Sequence, residues 1–316
     1  MNPAKPLISL VIPVFNEEDS IAAFYADVRR VIDPLAGQYD FEFVFTDNHS
    51  TDTTPGLLGD LARADCRIRA YRFSRNFGYQ RSILTAYLKC HGDAAIQLDC
   101  DLQDPTGLIV DFLERWRSGY DVVYGTRISR HESWRWSLAR KAFYRLVNFL
   151  CEDPIPLDAG DFRLVSRRVI EELRRIDDTR PYLRGTIATL GFNQIGIEYD
   201  RGARLRGSTK FSLYDNVLLA LDGIVNQSVV PLRMATYIGV GVSLLTLIAI
   251  CGYLVAYFTV GFRAPPGFTT ITVLILGSLS INAMLLGILG EYLGRMYLQM
   301  KKKSLSIVER ELHNEV

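Results

Sequence analysis

From Ala235 to Phe262 no residue carries a charge, and after the single Arg263 a second uncharged run extends from Ala264 to Gly290. As helices, both runs are long enough to cross a hydrocarbon layer roughly 30 Å thick. They read as a two-helix transmembrane hairpin over residues 234–294. A pair of buried helices in a soluble protein is the rival, but two consecutive charge-free runs of this length exceed ordinary soluble helices. Arg233 precedes the first run, and Arg295 with Lys301, Lys302 and Lys303 follows the second. Basic flanks collected on one side place both polar ends in the cytoplasm. Gly239, Gly241, Gly277, Gly287 and Gly290 allow close helix contacts, within one chain or between copies in a homo-oligomer.

The rest of the 316 residues has a different character. About half of the whole chain is apolar and the formal net charge is +1, which describes a folded protein and gives no global basic signal for nucleic acid. The five cysteines, Cys66, Cys90, Cys100, Cys151 and Cys251, are odd in number and form no paired motif, which favours a reducing compartment. The opening MNPAKPLISLVIPVF lacks the build of a signal peptide. The organisation expected is a cytoplasmic α/β domain over 1–211, an amphipathic membrane-interface segment over 212–233, the hairpin, and a cytoplasmic tail over 295–316.

In the first part, apolar runs alternate with helical patterns. LISLVIPV (7–14), FEFVFTD ending at Asp47, Ile68–Phe73, Ala94–Leu98 and Asp121–Gly125 read as strands. Helices are expected near Ser20–Ile32, Thr54–Arg63, Gln80–Lys89 and Gly107–Arg117. This order implies βαβ units and a mostly parallel sheet, with ligands gathered beyond the carboxyl ends of its strands. Further on, DAGDFRLVS reads as a loop feeding a strand, VIEELRRI as a short helix, and ATLGFNQIGIEYD as one or more strands. Neither the dinucleotide glycine fingerprint nor a GxxxxGKS/T phosphate loop is present.

The acidic string LDCDLQDP ends one of these strands. Asp99 and Asp101, two residues apart, can share one face of an extended segment, and their hard oxygens suit Mg²⁺ or Mn²⁺ beside a diphosphate. A polar turn collecting aspartates is the alternative. Asp104 can hold a water or the local turn. Asp47 stands at another strand end ahead of NHSTDTT, where Asp52 reads equally as a helix cap. Arg75 either organises a diphosphate or pairs with a nearby aspartate. Arg127 and Arg130, then Arg204, Arg206 and Lys210, offer cations for phosphate or for an anionic lipid surface. Asp158 and Asp161 can bind sugar hydroxyls, act as a base, or be held by backbone amides. The four histidines show no metal-ligand spacing.

Taken together, PVFNEE, TDNHSTD, RNFGYQ, LDCDLQDP, DAGDFRL and RLRGSTKF resemble a family 2 inverting glycosyltransferase of the polyprenyl-phosphate branch, bactoprenol glucosyltransferase-like. The likeness runs through the apolar segments to EYLGRMY, Glu291 to Tyr297. It implies a GT-A-like nucleotide-sugar-binding domain, a UDP-sugar donor with glucose as the favoured sugar, a Mg²⁺ or Mn²⁺ cofactor, a polyprenyl (undecaprenyl) phosphate acceptor and a multi-pass place in a bacterial inner membrane. By the same resemblance Pro13, Phe15, Glu17 and Asp47 hold the nucleotide, and Asp99 and Asp101 hold the metal with Gln103 nearby. Arg75 and Thr209 belong to the donor side. Asp158 and Asp161 border the sugar, while Arg127, Arg204 and Lys210 position phosphate. The chain departs from the family pattern at His49, where glycine is frequent, at Thr209, where serine is frequent, and at Leu190, where an aromatic is common.

Two other functions fit parts of the pattern. A processive polysaccharide synthase would carry a QxxRW motif and more membrane spans, neither of which this sequence has. A membrane-tethered sugar-nucleotide receptor without turnover would use the same loops without the metal chemistry.

Overall fold

In a computed structural model of the chain, the described residues are 5–127, 159–176, 178, 181–200, 267–300 and 304–312, with isolated positions between 237 and 259. The chain divides into two compact units, one formed by Met1–Tyr144, Pro154–Leu213 and Lys302–Val316, the other by Arg145–Asp153 and Tyr214–Lys301.

The first unit is built on one eight-stranded sheet: β1 (Leu7–Val14), β2 (Asp40–Asp47), β3 (Ile68–Phe73), β4 (Ala94–Gln97), β5 (Val122–Arg127), β6 (Ala159–Ser166), β7 (Gln194–Tyr199) and β8 (Val308–Leu312). Their spatial order is β7-β5-β6-β4-β1-β2-β3-β8. β4, β1, β2 and β3 run parallel, as do β5 and β7, while β6 and β8 are antiparallel to their neighbours. This is the mostly parallel, GT-A-like arrangement expected from the resemblance.

Helices cover both faces, which is why β1 and β2 carry buried apolar residues on both faces, with Ser9 and Glu42, polar exceptions, bonded to each other. Leu10, Ile12, Phe43 and Phe45 pack on one side with Phe24 and Val28 of α1 (Ile21–Ile32), Leu58 of α2 (Thr54–Ala64) and Phe112 of α4 (Leu108–Arg117). Val11 and Val44, one residue out of phase, pack on the other with Leu84 and Tyr87 of α3 (Tyr79–Lys89), Ile170 and Leu173 of α5 (Arg167–Arg175) and Ile187 of α6 (Leu183–Thr189). On α1, Ile21, Phe24, Val28 and Ile32 form the single buried stripe that a 3.6-residue period requires.

The chain goes from β1 outward to β2 and β3, then returns to place β4 on the other side of β1. The carboxyl ends of β1 and β4 therefore flank the point where strand order reverses, the usual ligand crevice of such sheets.

Two segments differ from the sequence reading. ATLG belongs to the end of α6 and its following turn, and only Gln194–Tyr199 is a strand. The expected tail over 295–316 supplies β8, which pairs with β3; VEREL alternates no apolar residues because an edge strand can expose charge.

In the second unit, Phe268–Met300 form one helix, α7, which continues past the expected boundary at 294. Among the described residues no helix is long and apolar enough to cross a membrane. The expected interface segment 212–233 lies outside the described residues. Cys66, Cys90 and Cys100, the described cysteines, are free thiols.

Candidate active site

Each of the four loops leaving the carboxyl ends of β1, β2, β3 and β4 contains a left-handed residue: Asn16 after β1 (φ 55°), His49 after β2 (φ 65°), Gly78 after β3 (φ 96°) and Leu102 after β4 (φ 54°). Left-handed backbone is costly for non-glycine residues and gathers at functional sites. His49 stands where the resembling family often has glycine, and the local structure explains how a histidine fits. Its Nδ1–H donates to the Phe73 carbonyl at 2.9 Å, tying the β2 loop to the end of β3.

These loops are bound to one another by side chains. Asn16 accepts from the Thr51 amide at 2.8 Å and its own amide donates to Ser50 Oγ at 3.0 Å. The Glu17 amide donates to Thr54 Oγ1 at 2.9 Å, and Glu17's carbonyl accepts from Ser20 and Ile21, starting α1. Asp52 accepts from the Thr54 amide at 3.0 Å, as a helix-start residue does. Burial alone would raise the Asp52 carboxyl, but hydrogen bonds from Thr54 and the Glu18 backbone outweigh it and hold it low. Asn48 donates to Asn76 Oδ1 at 2.9 Å and accepts from the Phe77 amide at 2.8 Å, joining the β2 and β3 loops.

Of the expected nucleotide residues, Pro13 lies within β1 opposite Thr46, and Phe15 follows the strand with 45% of its surface exposed, open to cover a ring. Asp47 is only 1% exposed. It accepts from the Ser50 amide at 2.8 Å and lies 3.3 Å from Arg72, a residue the sequence reading passed over. Arg75 stacks over the Phe77 ring at 4.2 Å and forms no ion pair with an aspartate among the described residues.

At the end of β4, Asp99 Oδ1 accepts from the Tyr79 hydroxyl at 2.5 Å and from Gln97 Nε2 at 2.9 Å. Burial, joined by the charges of Asp161, Asp104 and Asp101 and opposed by the Tyr79 hydrogen bond, pushes its carboxyl up to about 7. Burial also raises the Tyr79 hydroxyl, with Asp99 and Asp161 adding to it. Asp101 accepts from the Gln103 amide at 3.1 Å, closing the turn after β4. Asp104 takes the local role: it accepts from the Tyr199 hydroxyl at 2.5 Å, and Tyr199 packs edge-on against Phe162. The Cys100 thiol is raised by burial and by neighbouring Glu17, Asp101 and Asp99, which leaves it a protonated spacer.

Asp161, 7% exposed on β6, is gripped by Arg184 of α6, whose Nε donates at 2.9 Å and NH2 at 2.6 Å. Gln80 adds a 3.4 Å bond and accepts from the Leu183 amide, linking α3 to α6. Burial works against the charge of Asp161, yet Arg184 and Arg163 prevail and hold its carboxyl below the usual range. Arg127 ends β5, paired in register with Tyr199. Asp158, Arg130, Arg204, Arg206, Thr209 and Lys210 lie outside the described residues.

Among the described residues no group of three or more His, Cys, Asp or Glu side chains is placed to hold a metal ion. The donor chemistry of the Asp99–Asp101 pair nonetheless suits a hard divalent cation. Both offer carboxylate oxygens alone, and the neighbouring charges of Asp161, Asp104 and Asp101 add to the rise that burial gives the Asp99 carboxyl.

Residues 9–174 match the model of glycosyl transferase family 2. An uncharacterized glycosyltransferase of Synechocystis sp., sll0501, is 35% identical over 302 residues, covering 95% of this chain and 94% of its own. A prophage bactoprenol glucosyl transferase homolog of Escherichia coli is 36% identical over 307 residues, covering 96% and 98%. The bactoprenol glucosyl transferase of Shigella phage SfX is 36% identical over 300 residues, covering 94% and 96%.

Proposed function

Because the chain belongs to glycosyl transferase family 2, we propose that it moves a sugar, glucose in the first instance, from a UDP-sugar to polyprenyl (undecaprenyl) phosphate, giving polyprenyl-phosphate-sugar and UDP. The observation that carries this reading is the extent of the likeness to bactoprenol glucosyl transferases, which takes in the apolar segments as well as the α/β unit.

A phosphate oxygen of the acceptor attacks C1 of the sugar from the side opposite the diphosphate. The C1–O bond to UDP breaks, its electron pair leaves with the nucleotide, and the anomeric configuration inverts. A phosphate monoester with a second pKa near ~6 is already largely dianionic at neutral pH, so no side chain has to remove a proton. Asp161 fits that chemistry. Gripped by Arg184 and held ionised, it is a poor base and a good fixed acceptor for a sugar hydroxyl.

The loops after β1 and β2, with Phe15, Glu17 and Asp47, receive the nucleoside. Asp99 and Asp101 would hold a divalent cation, Mg²⁺ or Mn²⁺, which would supply positive charge to offset that on a departing diphosphate. Gln103, Arg75 and Thr209 line the diphosphate side, Asp158 borders the sugar, and Arg127, Arg204 and Lys210 position phosphate. α7 and the apolar run before it sit in the bacterial inner membrane, with the α/β unit and both termini in the cytoplasm beside the lipid acceptor.

The test is a donor screen with the full chain in vesicles containing undecaprenyl phosphate and Mg²⁺ or Mn²⁺, following the lipid by mass spectrometry. One hexose added per lipid from UDP-glucose is expected. Absence of lipid-linked sugar with every donor, or growth of a polymer, contradicts the reading.

A further inference from the structure

β8 comes from the far end of the sequence and joins the sheet beside the nucleotide loops. Its register against β3 runs Arg72 opposite Arg310 and then Phe73 opposite Val308, which leaves Glu309 as the extra residue of a bulge. Bulges re-aim a side chain and are frequent next to active sites. Here the Glu309 carboxylate lies 3.8 Å from Arg72 Nε.

The rest of that guanidinium reaches the other way. NH1 lies 3.3 Å from Asp47 Oδ2, and NH2 donates to the Ser50 carbonyl at 3.2 Å. A planar guanidinium fixed on two sides has little freedom left, so it transmits position as well as charge. Two arginines facing each other across neighbouring strands repel, and the carboxylates of Asp47 and Glu309 offset that on the Arg72 side. More contacts join the same C-terminal segment to the elements around the loop Ser74–Gly78. The Ser74 amide donates to the Ile307 carbonyl at 3.0 Å, Thr85 and Ser306 share a hydroxyl bond of 2.8 Å, and Lys89 pairs with Glu311 at 3.3 Å.

We propose that Arg72 is a positioning residue of the donor site, held by Glu309, so that the C-terminal strand sets the geometry of the Asp47–Thr54 loop for a nucleoside diphosphate. The inference rests on the donor reading above, and it makes the last strand part of the donor-binding apparatus.

The test titrates UDP calorimetrically into the full chain and into E309Q, E309K, R72K and R72Q, and measures donor KM, acceptor KM and kcat separately. E309Q weakens UDP binding about threefold, as befits a half-exposed pair, and E309K about tenfold because it sets a second cation against Arg72. R72Q weakens it further than either, and R72K recovers part of the loss. Donor KM follows the UDP affinities while acceptor KM and kcat stay at wild-type values. Wild-type UDP affinity in both Glu309 variants overturns the proposal, as does a parallel rise of donor and acceptor KM. A wild-type chain that binds no UDP overturns it too. If UDP binding shows the expected dependence while no sugar reaches the lipid, the transferase reading fails and this inference stands.

Discussion

In the α/β unit Phe43, Phe45 and Phe112 are sealed between sheet and helices, whereas on α7 Leu274, Leu279 and Leu286 stand exposed, Leu279 at 63%. Tyr237, Leu244, Ile248 and Val255, from the preceding apolar run, are exposed as well. The first unit finds partners for its apolar side chains within itself. On α7 the half-buried Ile281, Leu285, Ile288 and Tyr292 form one stripe while the leucines named above stay exposed, an apolar surface that the membrane placement proposed above would cover. Exceptions within the first unit are equally instructive: Phe15 and Tyr79, two of its few large exposed rings, both adjoin the strand ends where the acidic residues collect.

The sharpest way to break this contrast is to alter one residue of each kind. Phe45→Ala empties a fully buried position and should cost about 3–5 kcal/mol in denaturant unfolding. Leu279→Lys should leave the α/β unit's melting and UDP binding unchanged while disfavouring membrane insertion by about 3 kcal/mol, read as loss from the membrane fraction. Ile176→Lys, an exposed position of the α/β unit, is the control and should alter neither by more than about 0.5 kcal/mol. Equal partitioning of the Leu279 and Ile176 variants would erase the distinction between the units.

Asp101→Asn sharpens it from the other side. Transfer should fall by at least about 100-fold, given what metal-site partners are commonly worth, with membrane partitioning untouched. Unchanged transfer in that variant, with donor binding intact, would remove the metal role assigned to Asp101.

Another effect concerns pH. The Asp99 carboxyl titrates near about 7 in the folded chain and in the usual carboxylate range when unfolded, so between those values the folded state binds more protons. Stability in a chelator should therefore fall as pH rises from about 4 through about 7. Melting curves across that range should flatten on adding Mg²⁺ and in Asp99→Asn; an undiminished slope in Asp99→Asn assigns it to another group. Smallest of all, His49→Ala keeps left-handed backbone without the Phe73 bond and should cost about 1–2 kcal/mol, while His49→Gly should be milder because glycine adopts that backbone freely.

The strands that frame the crevice were legible because their signal is local: LISLVIPV and FEFVFTD are largely apolar, interrupted by Ser9 and Glu42, and end in polar loops; Asp47 closes the second, and Asp99 follows the largely apolar AAIQL that contains β4. What the sequence concealed is pairing between distant elements. Arg184 sits in a seven-residue helix with no motif around it, and its role becomes visible only when β6 brings Asp161 within 2.6 Å. Arg72 looks like one polar residue of IRAYRF until β2 and β8 flank it. β8 is short, charged and at a sheet edge, so it carries none of the alternation that announces a half-buried strand. Gln97 reads as an ordinary strand residue and Tyr79 as one letter of RNFGYQ with no role of its own, and only their convergence on Asp99 shows what they hold.

The measurement that bears most directly on the account is the anomeric configuration of the lipid-linked product formed from UDP-α-glucose, determined by NMR on the isolated glycolipid. A single in-line displacement by the acceptor phosphate predicts one β-linked glucose per undecaprenyl phosphate. An α-linked product would contradict the one-step inverting mechanism built on Asp99, Asp101 and Asp161.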